Sequence, residues 1–244
     1  MATPRQLITQ VLGRLLFDDG RVVDVQTPAP RYRHITLEIP AWRGKRFEPG
    51  SNFRIAQPGP ELRTYTLLAL DTTTGQAETL LHLHGQGPGS AWGESVRAGD
   101  AVQVFGPEPS RRAKRLAEAR IPTVVFGDET SFGIAAMARG FADSLAIFEV
   151  SDMAAARPVL ATLGLESALL IERQASGAHL TPAVEALRAA LQQLNGSAPG
   201  DKAELVLTGQ AQSIQTARAQ LRAAGVAAAQ TVKPHWAVGK TGLD

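Results

Sequence analysis

The hydrophobic pattern of this chain changes character once, between Gly106 and Arg115, and that change limits what the chain can fold into more than any other feature. Before it, apolar residues come in short runs with strand alternation: Arg21 to Gln26, Tyr32 to Ile39, Asn52 to Gln57, Leu62 to Leu70, Glu78 to His84 and Ala101 to Phe105. Turn residues separate them, at Pro28, Pro30, Pro49-Gly50, Pro58-Gly59-Pro60 and Gly75. Short strands at this spacing build a small antiparallel barrel. After the change, strands are expected at Thr123 to Phe126, Leu145 to Val150, Ala168 to Ile171, Glu204 to Leu207 and Ala227 to Val232. Between them, helical periodicity covers Ser131 to Asp143, Ala154 to Leu163, Thr181 to Leu194 and Ala211 to Ala224. Strands joined by helical crossovers form a parallel sheet, and such sheets bind nucleotides beyond the carboxyl ends of their strands.

The expected architecture is therefore β plus α/β: an antiparallel barrel over residues 21–115, then a parallel-sheet nucleotide-binding domain over 116–244. Leu7, Ile8, Val11, Leu12, Leu15 and Leu16 make a stripe that predicts an N-terminal helix within residues 1–20. Gly196 to Gly200 reads as a surface loop.

Composition removes several classes of function. A formal charge of +2, from 25 Lys and Arg against 23 Asp and Glu, is too small for a nucleic-acid footprint unless it is clustered. No apolar run approaches the roughly 18 residues of a membrane span. The absence of cysteine excludes disulfides, thiolate metal sites and cysteine nucleophiles. Met1 to Gly20 has no apolar signal core, so the expected location is cytoplasmic.

Chemistry gathers at a few places. On a strand over Leu62 to Leu68, Arg63 and Tyr65 share a face while Thr64 and Thr66 share the other. A guanidinium fork beside a flat ring suits a planar cofactor that carries phosphate, such as a flavin. On those residues alone, an ordinary strand face is the simpler reading. Leu80 to Trp92 is a strand that runs into a glycine-rich turn and a short helix, which presents backbone N–H groups and Ser90 to an anion. Its glycines, Gly85, Gly87 and Gly89, do not have the dinucleotide spacing. His82 and His84 lie two apart on the expected strand, but without Cys or matched acids beside them no metal site is expected. In Gly127-Asp128-Glu129-Thr130-Ser131, hydroxyls at a helix start suit a nucleotide pyrophosphate, whereas Asp128 and Glu129 suit helix capping or a contact to ribose or amide. Arg111, Arg112, Lys114 and Arg115 read either as a solvated basic loop or as a patch for an anionic substrate, with Lys233 as a further candidate.

In this order, Arg63-x-Tyr65-Thr66, His84-Gly85-x-x-Pro88-Gly89-Ser90-x-Trp92, Gly99-Asp100, Gly106-Pro107, Gly127-Asp128-Glu129-Thr130 and Pro234-His235-Trp236 with Gly239-Lys240 resemble the siderophore-interacting proteins. These are FAD-dependent ferric-siderophore reductases related to the ferredoxin-reductase superfamily. The resemblance runs from Arg21 onward and implies an FAD-binding barrel, a domain for NADPH or NADH as donor, and a ferric siderophore as acceptor. It implies that Arg63 holds the FAD pyrophosphate, Tyr65 stacks on the isoalloxazine and Thr66 bonds near its N5 atom. His84, Gly89, Ser90 and Ala91 would line the pyrophosphate and adenosine side. Asp128, Thr130 and Ser131 fall where the donor would approach. Ser131-Phe132-Gly133 and His235 depart from the family's Ala-Leu-Pro and Tyr at the same place. Trp236, in a polar tail after the last expected strand, either covers the flavin ring or plugs a domain join. Two other functions fit the same residues: a flavin oxidoreductase serving a protein redox partner, and a siderophore-binding protein without turnover.

Overall fold

The computed structural model describes residues 17–48, 50–57, 61–85, 87–197 and 202–239. The expected N-terminal helix lies outside them, as do Pro49, the Pro58-Gly59-Pro60 turn, Lys240 and most of the loop expected at Gly196 to Gly200. The described residues form twelve strands and six α-helices. They fall into two compact units, one within Met1–Thr27 and Arg33–Ser110, the other within Pro28–Tyr32 and Arg111–Asp244.

The first unit is built on β1 (Asp18–Gln26), β2 (Tyr32–Glu38), β3 (Asn52–Ala56), β4 (Leu62–Thr66), β5 (Ala69–Asp71), β6 (Gln76–His82) and β7 (Ala101–Glu108), in the sheet order β4-β3-β7-β1-β2-β6-β5. One strand was expected over Leu62 to Leu70; there are two, because the backbone changes partner at a corner. Leu67 N–H donates to Ser51 O beside β3, and Leu68 N–H donates to Glu78 O on β6, both at 2.9 Å. Thr79 Oγ1 donates to Thr66 O at 2.9 Å, so β6 reaches back to β4 and the sheet curls round its core. That core holds Val22, Ile35, Leu37, Trp42, Phe53, Ile55, Leu81 and Val104. Asp71 fixes the β5–β6 turn, accepting from Thr73 N–H at 2.8 Å and from Thr74 Oγ1 at 2.8 Å. β6 thus starts and ends two residues before the expected strand, which leaves His84 exposed beyond it and dissolves the expected His82–His84 strand face.

Helix α1 (Pro88–Ser95) follows the glycine turn. The basic run is not a loop: it forms α2 (Arg111–Glu118), which buries Ala113 and Leu116 and leaves Arg111, Lys114 and Arg115 exposed.

In the second unit β8 (Thr123–Gly127), β9 (Ser144–Val150), β10 (Leu169–Glu172), β11 (Glu204–Gln210) and β12 (Gln230–Trp236) make a parallel sheet in the order β10-β9-β8-β11-β12. Its crossovers contain α3 (Phe132–Arg139), α4 (Met153–Thr162), α5 (Leu180–Ser197) and α6 (Ala211–Ala223). Val124, Phe126, Leu205 and Leu207 meet α5 and α6 through Leu187, Ile214 and Leu221. Phe148 meets α3 at Phe132, rings 4.7 Å apart. Cover on both faces is why all five residues of β8 are buried. β12 continues past the expected end at Val232 through Pro234, because an edge strand tolerates a residue with no N–H to donate. Trp236 is accordingly the last residue of a strand, not part of a free tail. None of the described helices is long and apolar enough to cross a membrane.

Leu207 is fully buried in β11. Leu207→Ala should cost about 2–5 kcal/mol through lost transfer energy and a residual cavity, read as a lower urea midpoint at unchanged slope.

Candidate functional site

Two constellations stand out, one in each unit. In the first, β3 and β4 pair in a register that sets Phe53 opposite Tyr65 and Ile55 opposite Arg63. The Tyr65 ring lies 6.2 Å from Phe53 and 6.1 Å from Trp92 on α1, so three aromatic rings join the strand to the helix. The helix start comes close to the same strand: a Cβ placed on Gly89 would sit 3.1 Å from the Tyr65 hydroxyl and 3.5 Å from Arg63 Cγ. Glycine here lets the backbone meet the ring, and N-cap Gly87 provides no side-chain cap for the helix amides.

Two buried hydroxyls at this junction, Tyr65 OH and Ser90 Oγ, have no hydrogen-bond partner among the described residues. Buried polar groups in folded proteins are paired in the great majority of cases, so the pair marks a place for a polar ligand. Burial pushes the Tyr65 phenol well above its ordinary range, which keeps it a neutral donor. Arg63 Nη2 donates to Glu61 at 2.5 Å and Nη1 to Leu62 O at 2.9 Å, which holds the guanidinium close to the strand. A guanidinium, a capless helix start and two orphaned hydroxyls fit the phosphates of FAD, and the ring cluster fits its planar part. Thr66 ends the same strand, while His84 and Ala91 are exposed at the turn and on the helix.

The second constellation sits at the carboxyl ends of β8, β11 and β12. Asp128 is fully buried and accepts from Thr130 N–H at 2.8 Å, Thr130 Oγ1 at 2.5 Å and Trp236 Nε1 at 2.7 Å. Burial pushes this carboxyl up, and the donated bonds oppose that. Gly209, with φ of +92°, makes room for it, since a Cβ there would fall 2.6 Å from the Asp128 carboxyl carbon. Ser131 Oγ accepts from Asp128 N–H at 3.3 Å, completing the cap of the turn Glu129–Ser131.

His235 closes the network. With the hydroxyl proton of Thr130 directed to Asp128, its oxygen accepts from His235 Nδ1–H at 2.9 Å, and Nε2 accepts from Thr208 Oγ1 at 3.0 Å. One neutral tautomer satisfies every group.

The residues that pattern reading missed are partners, not motif members. Glu129 Oε1 accepts from Ser151 N–H at 2.6 Å and Ser151 Oγ at 2.7 Å, and its Oε2 from Arg173 at 2.6 Å. Arg173 also donates to Glu149 O at 3.0 Å, and the Glu149 carboxylate accepts from His179 Nε2 at 2.6 Å. Glu149 was the available signal, an acid inside the apolar strand Ser144–Val150, where a charge requires a partner. Of the basic residues, Arg115 pairs with the buried Glu204, Lys114 lies 3.9 Å from Glu118, and Arg111 and Arg112 share their helix. Lys233 lies exposed on β12, beyond β8 and β11 from this network.

Burial lowers His235 from its ordinary 6.5 to about 4. Below pH 6.5 the unfolded chain takes up a proton that the folded ring refuses until about pH 4. Its contribution is therefore whole above pH 6.5 and lost between there and pH 4, about 3 kcal/mol across the window. Denaturation curves at pH 7 and near pH 4.5 should show that loss in the parent and a smaller one in His235→Gln; equal acid sensitivity would remove His235 from this role.

Residues 51–111, which contain Arg63, Tyr65, Thr66, His84, Gly89, Ser90 and Ala91, match the family model of the siderophore-interacting FAD-binding domain. No curated protein matches the chain in sequence. Among solved structures, a siderophore utilization protein from T. fusca is similar with a TM-score of 0.65 at 23% identity, over 93% of this chain and 95% of that one. The siderophore-interacting protein SipS from Aeromonas hydrophila gives 0.68 at 18%, over 92% and 94%. A ferredoxin-NADP+ reductase from Plasmodium falciparum gives 0.61 at 11%, over 96% and 98%. At these identities the structures establish the fold, a ferredoxin-reductase-like pairing of an antiparallel sheet with a parallel one. The segment that carries the orphaned hydroxyls, residues 51–111, is thus similar in sequence to the siderophore-interacting FAD-binding domain.

Proposed function

We propose that this protein is a flavin reductase that passes electrons from NAD(P)H through FAD to the Fe(III) of a ferric siderophore, releasing Fe(II). The observation that carries the reading is the pair of partnerless hydroxyls, Tyr65 OH and Ser90 Oγ, inside the matched FAD-binding segment. Arg63 would exchange Glu61 for a phosphate oxygen, and Ser90 with the α1 amides would take the rest of that charge. Tyr65, between Phe53 and Trp92, would hold the ring system, with Thr66 at the reactive edge and His84, Gly89 and Ala91 along the nucleotide part. In the second unit Asp128, Thr130, Ser131 and Trp236 would receive the donor, their positions set by the neutral His235. When bound, FAD turns a two-electron hydride donor into a source of single electrons. The siderophore brings the iron ligands, so the chain needs none, and reduction weakens binding by hard oxygen donors. Arg111, Arg112, Lys114, Arg115 and Lys233 would draw in an anionic iron carrier. A cytoplasmic setting, where nicotinamide donors are regenerated, fits this role.

Ser90→Ala removes an unpaired buried hydroxyl, so the FAD-free protein should be no less stable than the parent, while FAD affinity falls about tenfold. Arg63→Ala should weaken FAD by about ten- to a hundredfold, from a charge-assisted bond worth roughly 1.5–3 kcal/mol. Flavin absorbance retained on desalting measures both, and full retention in both variants would remove the assignment.

The reconstituted protein under anaerobic NADH or NADPH should reduce an anionic ferric siderophore, followed with an Fe(II) chelator, at a rate that falls as salt rises. Reduction of a ferredoxin with no Fe(II) released would instead favour a protein acceptor.

A further inference from the structure

Buried and exposed acids gather at the carboxyl end of the parallel sheet. Strand order reverses between β8 and β11, the place where sheets of this kind receive a nucleotide. Asp128 fills the backbone recess at Gly209 on that line, so a carboxylate stands there. Beyond β8, the carboxyl ends of β9 and β10 carry Glu149 and Arg173, with Ser151 and Asp152 just after β9. In dinucleotide-binding sheets, an acid about 20 residues after the first turn bonds the ribose 2′-hydroxyl, whereas an arginine nearby accommodates a 2′-phosphate. Here the arginine at hand is already engaged. Arg173 bridges Glu129 at 2.6 Å and the Glu149 carbonyl at 3.0 Å, with 20% of its side chain exposed.

Asp152 accepts from Ala155 N–H at 2.9 Å as the cap of α4, and its charge acts together with those of Glu129 and Asp128 on the buried Tyr32 hydroxyl. This edge therefore holds Asp128, Glu129, Glu149 and Asp152, with the guanidinium of Arg173 paired to Glu129 and Glu149 and with His179 hydrogen-bonded to Glu149 at 2.6 Å. Gln174 N–H donates to His179 Nδ1 at 3.1 Å, so that nitrogen carries no proton and the ring adds no positive charge. A phosphate monoester adds up to two negative charges to whatever it approaches. Lys233 stands on β12, separated by β8 and β11 from the strand that carries Glu149.

Resting on the reductase reading above, we propose that the paired Glu129–Arg173–Glu149 network, with Asp152, selects NADH and rejects the 2′-phosphate of NADPH. Two measurements on the FAD-reconstituted protein test it: calorimetric binding of 5′-AMP and of 2′,5′-ADP, and the rate of flavin reduction by NADH and by NADPH. We expect 5′-AMP to bind more tightly and NADH to be favoured at least tenfold. Asp152→Asn keeps a good cap residue on an exposed site and removes one charge; it should narrow the preference by about two- to fivefold. Glu129→Gln, if it folds, should narrow it further by loosening Arg173. Tighter binding of 2′,5′-ADP, or faster reduction by NADPH, overturns the selectivity and leaves the reductase intact. An unchanged preference in Asp152→Asn and Glu129→Gln overturns the assignment to these residues. Failure of all four nucleotides to bind or react overturns the nicotinamide reading itself.

Discussion

A carboxylate with no water around it must be surrounded by donors, and at Asp128 those donors come from separate stretches of the chain. Thr130 belongs to the turn after β8, and Trp236, 108 residues after Asp128 in sequence, to the end of β12. Gly209 on β11 yields the space. The polar contacts among Thr130, His235 and Thr208 follow from meeting this one demand. Thr130 is oriented by Asp128, His235 by Thr130, and Thr208 by His235, so the ends of three strands are held in register by one chain of polar contacts. Such a network is stable only when complete, since a buried polar group left without a partner costs about 1–3 kcal/mol.

The first unit shows the opposite condition. Its strands and turns satisfy their polar groups through local devices, such as the Asp71 turn and the bond from Thr79 to Thr66, yet two hydroxyls remain unpaired where β4 meets α1. The Asp128 carboxylate has its donors within its own unit, whereas these two hydroxyls have none among the described residues.

Much of this was legible in the sequence, because hydrophobic period and turn chemistry are local signals. The two sheets, the Arg63–Tyr65 face and the glycine turn into α1 could all be read that way. The bent strand over Leu62 to Asp71 could not, since the exchange of partners at Leu67-Leu68 depends on Ser51 and Glu78, which are distant in sequence. The last strand was expected to end at Val232, and the edge position of β12 permits it to continue through Pro234. The Glu129–Arg173–Glu149–His179 network was invisible for a related reason: an isolated acid in an apolar strand announces that it has a partner but not which one.

The short segment Pro28–Tyr32 lies between β1 and β2 of the first sheet yet belongs to the second unit, where Tyr32 stacks on Phe132 with ring centroids 6.0 Å apart and planes within 12°. The covalent path thus passes from one unit to the other three times, at Thr27, Tyr32 and Ser110. No single cut can separate them. A fragment beginning at Arg111 would keep the whole parallel sheet but lose the aromatic lid over Phe132, itself fully buried and in edge contact with Phe148. Evolution by exchange of whole domains is accordingly constrained here, because the second unit is made of two separate stretches of chain and cannot be passed on as one contiguous piece.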